Sequence, residues 1–217
     1  MQNRSVLPCP FSPGGPLTKR EQTWLRIVRA AQALCLDRGF DGFTLDELAE
    51  ASDVSRRTLF NYFPSKVDAV LGGGETPDLL HPDPRQPHLV EATELFRRGG
   101  PHGRLLEDLT ALSRVLVDGA HPDRSLARSQ RAILFATPRL LGEVHERFLA
   151  AAGTLVALVR EREPELDEGR GRLFVRLLVA VFDNAVETWV EQPDDDPRTL
   201  ADVFETHLED AVHLLHP

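Results

Sequence analysis

A chain of 217 residues, 41% hydrophobic and 27% charged, has room for one mid-sized domain or for a small head joined to a larger body. No apolar run approaches the roughly 20 residues that a membrane-spanning helix requires, and the first residues lack the apolar core of a secretory signal, so a cytoplasmic protein with no membrane partner is expected. The formal charge of −9 argues against a nucleic-acid partner only until its distribution is read: residues 18–74 carry eight bases and eight acids, whereas 75–217 carry 16 bases and 26 acids.

Residues 1–17 hold Pro8, Pro10, Pro13 and Pro16 without apolar periodicity and read as a disordered arm. Of the two cysteines, Cys9 lies in that arm. Cys35 sits among apolar residues at helical spacing, so a disulfide framework is not expected. Thr18 with Glu21 forms a capping box that opens the first helix. Trp24, Ile27, Val28, Ala31, Leu34 and Cys35 follow on one stripe, and Gly39 closes it. Thr44 with Glu47 is a second capping box, with Leu45, Leu48 and Ala49 turned inward. Ser55 caps a third helix, and Ser65 with Asp68 a fourth that ends at Gly72-Gly73-Gly74. The glycines are not followed by Lys-Ser/Thr, which excludes a phosphate-binding loop.

Residues 72–88, with Pro77, Pro82, Pro84 and Pro87, read as a connector between a head at 18–71 and a body at 89–217. Further helices are predicted at about 88–98, 103–118, 122–136, 138–163, 169–191 and 197–215, with starts and stops marked by Gly99-Gly100-Pro101, Pro122, Pro138, Pro164 and Pro197. No window alternates as a strand does, so the fold class is all-α: a three-helix head with a helix-turn-helix, and a larger helical bundle. The helix at 169–191 is apolar around most of its girth, and the next carries a single stripe. Such a pair packs on its own body and on a symmetry mate. Leu178, Phe182, Val186, Trp189, Phe204, Leu208 and Leu215 are the expected dimer interface.

Residues 45–63 read as helix, tight turn, helix, with Leu48, Val54, Leu59 and Phe63 spaced to share a core. The opposite face of the second helix then offers Arg56, Arg57 and Asn61 to DNA bases. Arginine matches guanine and asparagine matches adenine in a major groove that admits a helix. Ser55, Tyr62 and Lys66 suit phosphates, which position without specifying.

The string Phe40-x-x-Phe43-Thr44, Leu48-Ala49, Val54-Ser55-x-x-Thr58-Leu59-Phe60-x-Tyr62-Phe63-x-Ser65-Lys66 resembles the N-terminal signature of the TetR regulators. The resemblance covers about residues 18–71. It implies a homodimer, a recognition helix at about 55–62, phosphate contacts at Thr44, Tyr62 and Lys66, and a ligand cavity in the body. The body is more weakly similar to actinobacterial members that sense acyl-thioester-like ligands. One departure stands out: Asp53 occupies a turn position where the family usually has glycine, and a left-handed conformation there costs aspartate more than glycine.

The expected function is a ligand-responsive repressor, released from its double-stranded DNA operator by a small apolar or amphipathic effector. Two heads would reach successive major grooves about 34 Å apart. Arg131, Leu134, Phe135, Leu141, His145 and Phe148 are the candidate effector pocket. No nucleophile–base pair, metal set or dinucleotide loop is present, and His213-x-x-His216 alone is too little for zinc. No catalytic residue, metal or cofactor is therefore expected. The competing reading is a helical protein-interaction bundle that has lost operator binding, for which reversing the charges of Arg56 and Arg57 would change nothing.

Overall fold

A computed structural model of the chain describes residues 17–73, 78–84, 86–100, 102–118 and 123–215. Among them run ten helices and no strand: α1 (Lys19–Arg38), α2 (Leu45–Ala51), α3 (Arg56–Tyr62), α4 (Lys66–Leu71), α5 (Pro87–Arg97), α6 (Leu105–Asp118), α7 (Arg124–Ala136), α8 (Pro138–Arg162), α9 (Glu168–Glu191) and α10 (Leu200–Leu215). None is long and apolar enough to cross a membrane. The arm expected before Leu17, residues 74–77 and Arg85 of the connector, the helix-boundary prolines Pro101 and Pro122, and His216 lie outside the described residues.

Helix starts follow their caps. At α1 the Glu21 amide donates to Thr18 Oγ1 at 3.2 Å, and the Thr18 amide donates back to Glu21 Oε2 at 2.6 Å. At α2 the Thr44 amide donates to Glu47 Oε2 at 2.7 Å, with the Glu47 amide on Thr44 Oγ1 at 3.2 Å. Each such cap contributes about 1 kcal/mol by satisfying amides that the helix itself leaves free. Gly39 and Gly72 take positive φ, 77° and 74°, where a side chain would be strained, and so end α1 and α4.

Contacts divide the described residues into two compact units. The first holds α1 to α4 together with residues 123–146, so α7 and the opening turns of α8 cluster with the head rather than beyond the connector at 72–88. Its core is the α1 stripe of Trp24, Ile27, Val28 and Ala31 against Leu48, Leu59 and Phe63 below and Ile133 and Leu140 beside it. Each fully buried aliphatic side chain there contributes on the order of 2 kcal/mol. Polar ties finish the unit. Arg29 donates to Asp123 at 2.8 Å, and Gln130 Nε2 to the Leu71 carbonyl at 3.4 Å.

The second unit holds α5, α6, the rest of α8, α9 and α10. Phe182 of α9 packs on Phe148 of α8 and Phe204 of α10, with ring centroids 6.5 and 6.1 Å apart. Trp189 Nε1 donates to the Arg198 carbonyl at 3.1 Å and closes the α9–α10 turn. Arg114 of α6 grips two carboxylates of α10, Asp202 at 2.8 Å and Glu205 at 2.7 Å.

The packing turns most of the expected dimer-interface residues toward the second unit's own core. Leu178, Trp189, Phe204 and Leu208 are buried inside the single chain, and Phe182 and Val186 are half-buried there; the side chain of Leu215 lies outside the described ones. The physical reason is the wide apolar girth of α9. Its Val175–Leu178–Ala185–Trp189 side is consumed by the unit's own core, and what it leaves outside is Leu173 (60% exposed), Leu177 (50%) and Ala180.

Candidate nucleic-acid interface

The turn between α2 and α3 is short because each step is held by backbone. The Ser52 amide donates to the Leu48 carbonyl at 3.0 Å and the Val54 amide to the Ala49 carbonyl at 3.0 Å. Ser52 Oγ, fully buried, also donates to the Leu48 carbonyl at 2.6 Å. Between them Asp53 adopts φ +48°, the one positive φ outside glycine among the described residues. The departure from glycine therefore falls on a residue that is left-handed. Ser55 then caps α3, accepting from the Thr58 amide at 3.0 Å.

Leu59 faces inward at 0% exposure, with Phe63 just beyond the helix at 1%, and this fixes which side of α3 faces out. Arg56, Arg57 and Asn61 lie on that outer side, all exposed. Arg57 and Asn61 are one helical turn apart, and neither side chain has a partner among the described residues. Arg56 is different: its Nη1 is 2.9 Å from both oxygens of Asp46 on α2, and its guanidinium lies 5.7 Å from the Phe60 ring centre. A base must compete with Asp46 for Arg56, whereas Arg57 is already available.

The residues expected to meet phosphates flank this face with their own local duties. The Thr44 and Ser55 hydroxyls are engaged as caps. Tyr62 is half-buried beside Phe63, ring centres 6.5 Å apart. Lys66 donates to the Phe43 carbonyl at 2.6 Å, and its ammonium sits 4.7 and 4.3 Å from the Phe40 and Phe43 ring centres. One of its three N–H bonds is thus committed, and two remain for other acceptors. Hydrogen bonds from the Thr44 amide and hydroxyl hold Glu47 below the ordinary carboxylate range, so the cap that opens α2 stays ionised.

Two residues of this region were not singled out from sequence. Arg139, at the start of α8, places its guanidinium 4.6 Å from the Phe40 ring centre and 3.3 Å from Asp41. Asp46 is the partner of Arg56. Arg139 lies about 100 residues from Phe40 and belongs to no motif, so only the fold joins them.

The candidate effector-pocket residues lie on α7 (Arg131, Leu134, Phe135) and α8 (Leu141, His145, Phe148). Phe135 is 75% exposed with Arg131 stacked on it at 5.3 Å, Leu141 is 55% exposed, and His145 is exposed. Leu134 packs against the first unit's core, while Phe148 belongs to the second unit. The reason is helical phase. Ile133 and Leu140 face the core, and steps of two and one residues rotate Phe135 and Leu141 by about 200° and 100° away from it. No group of three metal-ligating side chains occurs among the described residues.

Comparison with known proteins meets this geometry at the same place. Residues 27–70 match the family described as bacterial regulatory proteins, tetR family. The chain is 27% identical over 202 residues to the HTH-type transcriptional regulator TcmR of Streptomyces glaucescens, covering 92% of this chain and 87% of that one. It is 28% identical over 169 residues to an uncharacterized HTH-type transcriptional regulator, YdeS, of Bacillus subtilis strain 168, covering 73% and 80%. Solved structures that resemble it include a putative TetR-family regulator from Mesorhizobium loti, with TM-score 0.48, 15% identity, and 91% and 98% of the two chains covered. Another is the TetR-family repressor FadR of Thermus thermophilus in complex with lauroyl-CoA, with TM-score 0.40, 29% identity, and 87% and 93% covered. The matched segment runs from the middle of α1 to the end of α4 and contains the whole helix-turn-helix, so the head is similar to the DNA-binding segment of tetR-family proteins, and most of the chain is similar to HTH-type transcriptional regulators.

Proposed function

We propose that the protein is a homodimeric repressor whose two heads read half-sites in successive major grooves and release them when a small molecule binds the second unit. The observation that carries this reading is the outer face of α3, where Arg57 and Asn61 stand exposed and uncommitted one turn apart. A bidentate arginine contact to guanine and a bidentate asparagine contact to adenine are each worth about 1–3 kcal/mol of discrimination. Arg56 joins them once DNA draws it from Asp46. Thr44, Ser55, Tyr62 and Lys66 serve the phosphate backbone, Lys66 through its two uncommitted N–H bonds.

The dimer supplies the second half-site. Its contact on this chain is the outward face of α9, centred on Leu173, Leu177 and Ala180, in place of Leu178, Trp189, Phe204 and Leu208, which are buried within the chain. Effector action follows from linkage. A ligand that binds one conformer more tightly than another shifts the population by its differential affinity, and by no more than that. The released conformer is the one in which the two recognition helices no longer match a spacing of about 34 Å.

The test is binding of the purified protein to DNA from upstream of its own gene, in moderate salt with competitor DNA. A specific complex, lost in Arg57→Ala, is expected. Binding that tracks only total charge and is unchanged in Arg57→Ala would contradict the reading.

A further inference from the structure

The second unit contains a buried arginine whose bonds are incomplete. Arg162, the last residue of α8, has its side chain 4% exposed. Its Nη2 donates to Asp108 Oδ2 at 2.7 Å, its Nε to Glu163 Oε1 at 3.2 Å, and its guanidinium lies 4.8 Å from the ring centre of Phe96. Its Nη1 is buried and has no hydrogen-bond partner among the described residues. A buried donor left unsatisfied is costly, and the donor most costly to leave so is a charged one.

The surroundings hold that nitrogen in place. Asp108 is fully buried on α6 and also accepts from the His102 amide at 2.7 Å. The turn that delivers this amide comes so close that a Cβ on Gly100 would collide with the Asp108 side chain. Asp108 therefore cannot swing across to serve Nη1 without giving up a bond. The adjoining helical turns are apolar and buried: Leu158 and Val159 one turn before Arg162, and Leu112 one turn after Asp108, are all at most 1% exposed.

We propose that Arg162 Nη1 is the polar anchor for the effector, and that the effector is a neutral, largely apolar molecule presenting a carbonyl-type oxygen to it. This rests on the reading of the second unit as the effector-binding part. Neutrality follows from the charges. The guanidinium already faces Asp108, wholly buried, and Glu163, so a carboxylate ligand would bring a third anion to one cation in a low-dielectric setting. A carbonyl oxygen completes the missing bond without that cost.

The probes are acetophenone and benzoate, which share a ring and differ in the charge of the acceptor. The readouts are the side-chain N–H resonances of Arg162 and the melting temperature of the full chain. Arg162→Met combined with Asp108→Asn serves as the control variant. It removes the donor without stranding a buried charge, and the amide oxygen of the introduced asparagine remains an acceptor for the His102 amide. Acetophenone is expected to shift the Arg162 resonances saturably and to raise the melting temperature of the wild type. Benzoate at equal concentration should do neither, and the folded double variant should not respond to acetophenone. No saturable response to acetophenone, an equal response to benzoate, or a response that persists in the double variant overturns the proposal; the first outcome would mean that water completes the arginine's bonds. Operator binding by the same preparations separates the two readings. An intact operator complex without an acetophenone response overturns this proposal alone, whereas absence of any specific complex overturns the regulator reading beneath it.

Discussion

Asp53→Gly isolates one backbone conformation from everything around it. Asp53 holds φ +48° at the middle of the α2–α3 turn, and its side chain is 97% exposed, with a carboxylate oxygen 3.9 Å from Arg26. An ion pair that exposed and that long contributes little, so removing it is close to neutral. The backbone term decides. A left-handed L-residue costs roughly 1–2 kcal/mol, with aspartate at the low end because its short polar chain bonds locally. Glycine avoids that cost and gives back about 0.5–1 kcal/mol through its greater freedom in the unfolded chain. The net expectation is a gain of about 0.5 kcal/mol, which for a chain of this size is about 1–2 °C in melting temperature. Asp53→Ala retains the strain and loses the local bonding, so it should fall below wild type by about 1 kcal/mol, or about 2–4 °C. Thermal unfolding of the three proteins by circular dichroism should rank them Gly, Asp, Ala. An Asp53→Gly protein no more stable than wild type, or an alanine variant equal to it, would refute the strain argument.

Substitutions on the two sides of α9 should part company. Leu177→Glu, on the exposed face, should leave the monomer folded and split the dimer in sedimentation. Leu178→Ala, one residue on and buried, should cost about 2–5 kcal/mol of stability by opening a cavity. Lys66→Met should lower the melting temperature, because the Phe43 carbonyl loses its donor. It should also flatten the dependence of operator affinity on salt by about 0.9 in log–log slope if Lys66 holds a phosphate; an unchanged slope would assign it to the head's structure alone. Burial pushes the Asp108 carboxyl up, but hydrogen bonds from the His102 amide and the Arg162 guanidinium, with the latter's charge, outweigh it and leave it below the ordinary range. A carboxylate depressed in the folded state stabilises above its unfolded pKa of about 3.9 and loses that contribution as pH falls through the folded value. Acid unfolding should accordingly be steeper below about pH 4 in the wild type than in Asp108→Asn, as read by a stability–pH profile.

What the sequence made legible and what it hid divide along physical lines. Helix starts are local: Thr18, Thr44, Ser55 and Ser65 each bond an amide three residues on, so every one of the first four helices begins where its cap predicts. Pro138 likewise opens α8, and the ten helices fall within a few residues of their expected bounds. The outer face of α3 was legible for the same reason, since Leu59 and Phe63 fix its phase within a single turn. Facing is not local. On α9 Leu177 and Leu178 are chemically equal and adjacent, and only packing within the second unit decides which is inside. The enclosure of Lys66 between Phe40 and Phe43 joins residues 23 and more apart. The buried Arg162–Asp108 pair spans 54 positions and matches no motif. Each needed the tertiary fold to be seen.

Base reading by α3 is proposed to run through its Arg57–Asn61 face. The most direct measurement is a footprint of the protein on its upstream DNA, repeated with Arg57→Ala and Asn61→Ala and with each base pair of the site varied in turn. Two protected half-sites centred about one helical turn, or about 34 Å, apart are expected. Each variant should lose about 1–3 kcal/mol at one defined base pair and become indifferent to its identity. Variants that weaken binding equally at every sequence, or that leave the footprint and its base preferences intact, would contradict that proposal.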